Sequence, residues 1–248
     1  MAKIIDFPGA WFGKKPEPEA GGIDGPPPQE YSRWWRLGRD ILRSTGASGL
    51  RLSQTGELPD ELARRLYQAH IRPELEQDGR LIGSESDSPD IAIVHWMLCD
   101  LGLLKEKKGF LSKTRSGNAL SDNPQALYDK FFDLVMSGMH WHHVPGDDPE
   151  ICDRCQELAP TSLSLIGGLC ADWTPAGVLM DAASEQLTLP ETIEMAKQWY
   201  NISLHSHFEP LGLVQISCLR QDLRRWSPRD EEVKLTPLFT EFLGNPAP

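Results

Sequence analysis

The chain has 248 residues, 40 % of them hydrophobic and 25 % charged, which is enough material for one large domain or two small ones with their own cores. Its longest apolar runs, Ile91–Val94 and Trp96–Cys99, are broken by His95 and Asp100 and fall far short of the roughly 20 residues a bilayer span requires, so no membrane association and a cytoplasmic location are expected. Five cysteines, an odd count in a chain that is not small, argue against a secreted disulfide framework and for reduced thiols.

The net charge of −11 is uneven. Residues 30–121 hold 14 Lys+Arg against 13 Asp+Glu, whereas residues 122–248 hold 8 against 19. The second half therefore repels phosphate backbones at long range, although a local basic patch could still bind them.

In chain order, residues 1–29 read as a flexible tail and linker. The stretch "GKKPEPEAGGIDGPPPQ" is rich in Gly and Pro and poor in large apolar residues. The piece before it, "KIIDFPGAWF", could strap onto the body or dock on a partner. The body begins near Tyr31, where Trp34, Leu37, Ile41 and Leu42 recur at helical spacing. A second helix starts at Pro59, with Asp60 and Glu61 near its positive end and Leu62, Leu66 and Tyr67 inward. A third has Ser88 as N-cap, Pro89 at its first position and Gly102 as its stop; it is apolar nearly all round, which predicts burial of Trp96 together with Leu98.

"LGLLKEKKGFLSKT" then reads as a strand, a turn at Lys107-Lys108-Gly109, a returning strand Phe110–Lys113 and a capping Thr114. Three helices followed by a small hairpin make the winged-helix pattern, with the hairpin as the wing. Next, "NPQALYDKFFDLVMSGMHWHH" gives a connecting helix with Leu127, Phe131, Leu134 and Val135 inward. A looser second copy follows. Thr174-Pro175 and Pro190 read as helix starts, Leu211-Gly212-Leu213 leads into a strand at Val214–Ser217, a long arm carries "CLRQDLRRWSPRDEE", and Val233–Leu235 returns to Thr236-Pro237. The expected fold is mainly α with small β-hairpins, as two tandem winged-helix-like units spanning residues 30–138 and 139–248.

The segments "LRLSQTGELPDELARRLYQ", "IVHWMLCDLGLLKEKKGFLSKTRSGNAL" and "LYDKFFDLVMSGMHW" resemble a region of uncharacterised bacterial proteins related to plasmid ORF-3-like and SEC-C-containing families. The resemblance covers roughly residues 48–142. It departs at Leu52-Ser53, where Leu-Thr is usual, and in lacking a Cys-rich zinc knuckle. It implies a helical, winged-helix-like body and carries over no activity and no functional residue.

Three kinds of site are open to this sequence. Lys105, Lys107, Lys108, Lys113 and Arg115 against Glu106 make the first wing basic by a local +4, which suits phosphate contacts. The helix before it, however, offers no Arg, Lys, Asn or Gln to a major groove. A metal could be sought at His140, His142, His143, Cys152 and Cys155, since a Cys-x-x-Cys pair presents two thiolates to one tetrahedral ion. The histidines lack the usual spacing, and imidazoles at a helix end beside inert thiols are the plainer reading. Nucleophilic catalysis has no Gly-x-Ser-x-Gly elbow to support it, and Gly167-Gly168 lacks the strand–loop–helix context of a nucleotide fold. The expected role is a non-enzymatic interaction or scaffold protein with a protein partner and no cofactor. The alternatives are a DNA-binding regulator that grips phosphates weakly and nonspecifically through its wings and, behind it, a metal-dependent enzyme at the His/Cys cluster.

Overall fold

The computed structural model describes residues 28–46, 48–71, 83–141, 148–187, 193–218 and 227–243, and the expected linker across 13–29 lies almost wholly outside them. The chain divides into two compact units. One comprises residues 32–134; the other comprises 135–141 and 148–243 together with the short 3-10 turn Pro28–Tyr31. Both are mainly helical, and each carries one small three-stranded antiparallel sheet.

The first unit opens with α1 (Arg33–Ser44), capped by Ser32, whose hydroxyl accepts the Trp35 N–H at 3.1 Å. Trp34, Trp35, Leu37, Ile41 and Leu42 are buried, and both indoles find partners: Trp34 donates to Asp90 at 2.7 Å and Trp35 to the Pro124 carbonyl at 3.0 Å. After the short strand β1 (Leu50–Arg51) comes α2 (Asp60–His70), with Pro59 at the N-cap position rather than inside the first turn. The third helix, α3 (Pro89–Asp100), buries Ile91, Val94, Met97 and Leu98.

Trp96 corrects the sequence reading: it is 47 % exposed. The helix is apolar nearly all round, so no polar stripe marks which side faces out. Packing decides: α1, α2 and the following strand cover the Ile91–Val94–Leu98 side and leave Trp96 outside. Leu98→Ala is therefore expected to cost about 2–5 kcal/mol in urea denaturation, whereas Trp96→Ala should leave stability nearly unchanged.

Strands β2 (Leu104–Lys107) and β3 (Phe110–Lys113) form the hairpin, with β1 on its far side in the order β1-β3-β2. The two-residue tip is Lys108-Gly109, with φ of 54° and 74°, which is the type I′ geometry that matches strand twist. α4 (Arg115–Ser121) and α5 (Pro124–Asp133) complete the unit, and Leu127, Phe131 and Leu134 are buried. Gly38 of α1 gives Phe131 its place: a Cβ there would lie 2.5 Å from the phenyl ring.

The second unit runs through α6 (Pro149–Glu157), α7 (Ala159–Leu169), β4 (Thr174–Pro175), α8 (Ala176–Gln186) and α9 (Ile193–Trp199), which continues as a π-helical segment Tyr200–Phe208. It closes with β5 (Val214–Cys218), β6 (Glu231–Leu235) and α10 (Pro237–Leu243). α8 does begin at this point, with Pro175 at its N-cap position rather than inside the first turn. Thr174 and Pro175 also pair with Val233 and Glu232, because a residue without an N–H fits a short edge strand. The Pro190 start lies outside the described residues. Trp141, Trp199, Tyr200, Phe208, Leu211, Leu213 and Phe239 form the core; Trp141 stacks on His207 at 4.0 Å, and Trp199 donates to Ser162 at 2.9 Å.

The two sheets share one plan. Helix, short strand, helix, helix, strand, strand is the order in both, and β4-β6-β5 matches β1-β3-β2. The junction that leaves the last helix repeats bond for bond. Gly102 and Gly212 take φ of 65° and 79°, a left-handed turn that glycine adopts without strain. Leu103 N–H donates to Leu98, and Leu213 N–H to Phe208, both at 2.9 Å. The Thr114 hydroxyl donates to the Gly102 carbonyl at 2.7 Å and the Thr236 hydroxyl to the Gly212 carbonyl at 2.5 Å. The threonine N–H groups reach the Leu103 and Leu213 carbonyls at 3.0 and 3.1 Å. Each threonine thus ties the end of the returning strand to the start of the outgoing one while capping the next helix.

Candidate functional site

The β2–β3 hairpin is built by alternation. Leu104 and Leu111 point into the core, so Lys105 and Lys107, paired with Ser112 and Phe110, share the outer face. Lys105, Lys107, Lys108 and Arg115 are exposed, Lys113 is half-buried, and none of the five makes an ion pair with a described residue. Phe110, 44 % exposed, adds an apolar element to the same face. In the second unit Arg229 is held by Asp181 at 2.8 Å and Lys234 by Asp172 at 3.6 Å; Arg220, Arg224 and Arg225 lie outside the described residues.

The His/Cys cluster is dispersed in the described part of the chain. Cys152 and Cys155 sit on one side of α6, buried, while His140 is exposed with its ring 3.7 Å from Asp153. His142 and His143 lie outside the described residues. Among the described residues no group of three or more His, Cys, Asp or Glu side chains is placed to hold a metal ion. Nor is any described helix long and apolar enough to cross a membrane. A cleft of about 620 Å³ between the end of α1, β1 and the start of α2 is lined by Ser44, Glu61, Arg64 and Arg65, with Arg65 donating to Ser44 at 2.9 Å.

A more specific cluster escapes the sequence reading. Glu85, in the 3-10 turn Glu85–Asp87 before α3, is buried with its side chain 7 % exposed. One carboxylate oxygen accepts the Leu58 N–H at 2.6 Å at the entrance to α2; the other lies 2.9 Å from His95 Nδ1. Cys99 stands one turn further along α3. Burial alone would lower His95, but its interactions with the Cys99 side chain and with the Glu85 carboxylate outweigh it and push its pKa up to about 9. His95 is thus an imidazolium at neutral pH. The pattern Glu85, His95, Cys99 carries one readable signal: a polar ring and a thiol four residues apart on an otherwise apolar helix need a partner.

The second unit holds a counterpart. His205 stands seven residues before Gly212, as His95 does before Gly102, and it too meets a buried glutamate: its Nε2 lies 2.8 Å from Glu231. Tyr200 donates to the same carboxylate oxygen at 2.9 Å, and burial together with the Glu231 charge raises the tyrosine. Cys170, the buried C-cap residue of α7, is pushed up to about 12 by burial.

The His95 shift has a testable consequence. A pKa raised from 6.5 to about 9 contributes stability that is fully present below about pH 6.5 and is lost as the pH rises through 9. The contribution amounts to as much as about 3 kcal/mol at 1.4 kcal/mol per unit. Urea denaturation between pH 6 and 9.5 should show this decline in the native chain and a flatter profile in His95→Gln.

No protein-family model, no curated protein and no solved structure matches this chain.

Proposed function

We propose that the chain is a non-enzymatic interaction protein built from two winged-helix-like units, whose first unit presents its third helix and wing to a protein partner. What supports the winged-helix reading is the shared order of helices and strands and the repeated threonine junction. The observation that carries the protein partner is the face of α3. In a DNA-reading winged helix this element would offer hydrogen-bonding side chains to base edges. Here its exposed positions are Pro89, Trp96 and Asp100. An exposed indole is the residue type that anchors protein interfaces. With Phe110 and the lysines of the wing in the same unit, the partner that fits has an apolar patch rimmed by acidic groups.

A photo-crosslinking residue at position 96 tests this in cells, with one at exposed Gln54 as the control. One defined protein captured from position 96, absent from position 54 and lost when Lys105 and Lys107 become Glu, supports the reading. Crosslinks only to a second copy of the chain would make it a self-associating scaffold. Crosslinks to nucleic acid, or no difference between the two positions, would overturn it.

The unpaired basic wing favours a second reading, DNA held through phosphates. About four or five cations would then engage, giving a log–log salt slope near −4. Affinity should be weak near physiological salt and show little sequence preference. Lys107→Glu with Lys108→Glu should abolish it in a fluorescence-anisotropy titration while the melting temperature hardly changes. Tight binding to one sequence that survives both substitutions would show that another surface reads DNA.

A further inference from the structure

We propose that the N-terminal segment Lys3–Phe12 docks, within the same chain, on an apolar face of the second unit made by Leu169, Trp173 and Val178. These side chains are 37 %, 41 % and 50 % exposed, and all three lie in the short stretch that joins α7 to α8. Leu169 ends α7, Trp173 precedes β4 and Val178 stands in the first turn of α8. The Thr174 hydroxyl donates to the Leu169 carbonyl at 2.7 Å and lies 3.2 Å from the Asp172 carbonyl, which draws the end of α7 against the residues flanking Trp173. Apolar side chains exposed singly are ordinary on a protein surface, whereas a cluster of them marks a place where something docks.

Composition, tether and charge choose the occupant. Ile4, Ile5, Phe7, Trp11 and Phe12 give the segment the apolar side chains such a face takes. The segment is tied to the same body: Pro28–Tyr31 belongs to the second unit and packs on its α10. Residues 13–27 reach ~50 Å when extended, and a unit of about 100 residues has a radius of gyration near 13 Å. The whole surface of the unit is therefore within range, at an effective concentration on the order of 1 mM. Lys3, Lys14 and Lys15 against Asp6 make residues 3–15 basic, while residues 122–248 hold 8 Lys+Arg against 19 Asp+Glu. At the face, Lys234 lies 3.6 Å from Asp172 and Arg229 donates to Asp181 at 2.8 Å, and Glu185 is exposed one turn beyond Asp181. Trp96 and Phe110, also exposed, belong instead to the unit with the basic wing, which repels lysines. Docked, the segment covers a surface that its release opens to other proteins.

A photo-crosslinking residue at position 178 of the purified full-length protein tests this, with one at Gln54 of the first unit as the control. Unlabelled and isotope-labelled chains are mixed in equal amounts before irradiation, and the products are mapped by mass spectrometry. The expected result is crosslinks from position 178 to residues 3–12 in which both peptides carry the same label. Phe7→Asp with Trp11→Asp should lower their yield at least fivefold. Crosslinks that pair different labels would show that a second copy covers the face and would overturn the proposal. So would a yield to residues 3–12 that is equal from position 54 or unchanged by the two aspartates. The comparison of positions 178 and 54 in the otherwise native chain decides the matter even if the double variant does not fold.

Discussion

Glu85→Ala is expected to be among the most damaging single substitutions in the first unit, costing about 3–5 kcal/mol near pH 6.5. The carboxylate does two jobs from one buried position: it accepts the Leu58 N–H and faces His95. Removing it leaves a buried donor with no acceptor and a buried imidazolium with no counter-charge. Glu85→Gln should fall between, because an amide oxygen can still accept from Leu58 but carries no charge. The loss in Glu85→Ala should shrink toward pH 9.5, where His95 can shed its proton and no counter-charge is needed. Chemical denaturation of the three proteins at both pH values checks the order. A loss that is equal at the two pH values would mean that the carboxylate matters only as a hydrogen-bond acceptor.

Gly117→Ala should lose about 3 kcal/mol, the upper end for overpacking. Gly117 stands in the first turn of α4, where its N–H meets the Thr114 hydroxyl at 3.0 Å. A Cβ there would collide with the Leu103 carbonyl oxygen, backbone that no rotamer change can move aside. That carbonyl also accepts the Thr114 N–H, so the clash falls on the junction itself. The second unit carries Phe239 at the corresponding place, with a longer bond of 3.4 Å to Thr236, so the approach there is looser. Gly168→Ala is the matched control: it is helical and exposed, with nothing within 4 Å of the added carbon, and should be neutral or stabilise by up to about 1 kcal/mol. Equal losses for the two alanines in urea denaturation would remove the steric argument.

Much of the local structure was legible because its cause is local. Ser32 before two tryptophans, Ser88-Pro89 before an apolar run and Lys-Lys-Gly between short alternating stretches each specify a start or a turn through their own backbone chemistry. The misreadings occur where two causes compete for one signal. Thr174-Pro175 leads into a helix as its sequence suggests, but the same two residues are also an edge strand, which only the arrival of Val233 from far along the chain reveals. Trp96 sits on a helix whose periodicity carries no direction. Glu85 lies in "GSESDS", a composition that reads as a solvated loop. Its burial comes from a histidine ten residues on and an N–H twenty-seven residues back, neither of which a window of sequence can display.

The threonine junctions separate what must stay constant in these units from what is free to grow. Gly102 and Thr114 are twelve positions apart, and Gly212 and Thr236 are twenty-four, yet the bonds between them are the same. Doubling such a loop costs only about 0.6 kcal/mol in closure entropy. Length can therefore accumulate at the hairpin end without reaching the helices, because the threonine fastens the two strands at their base. For anyone wishing to label this molecule, the turn at Lys108-Gly109 is accordingly the place to graft a tag or a fluorophore, and the base of the hairpin is the place to leave untouched.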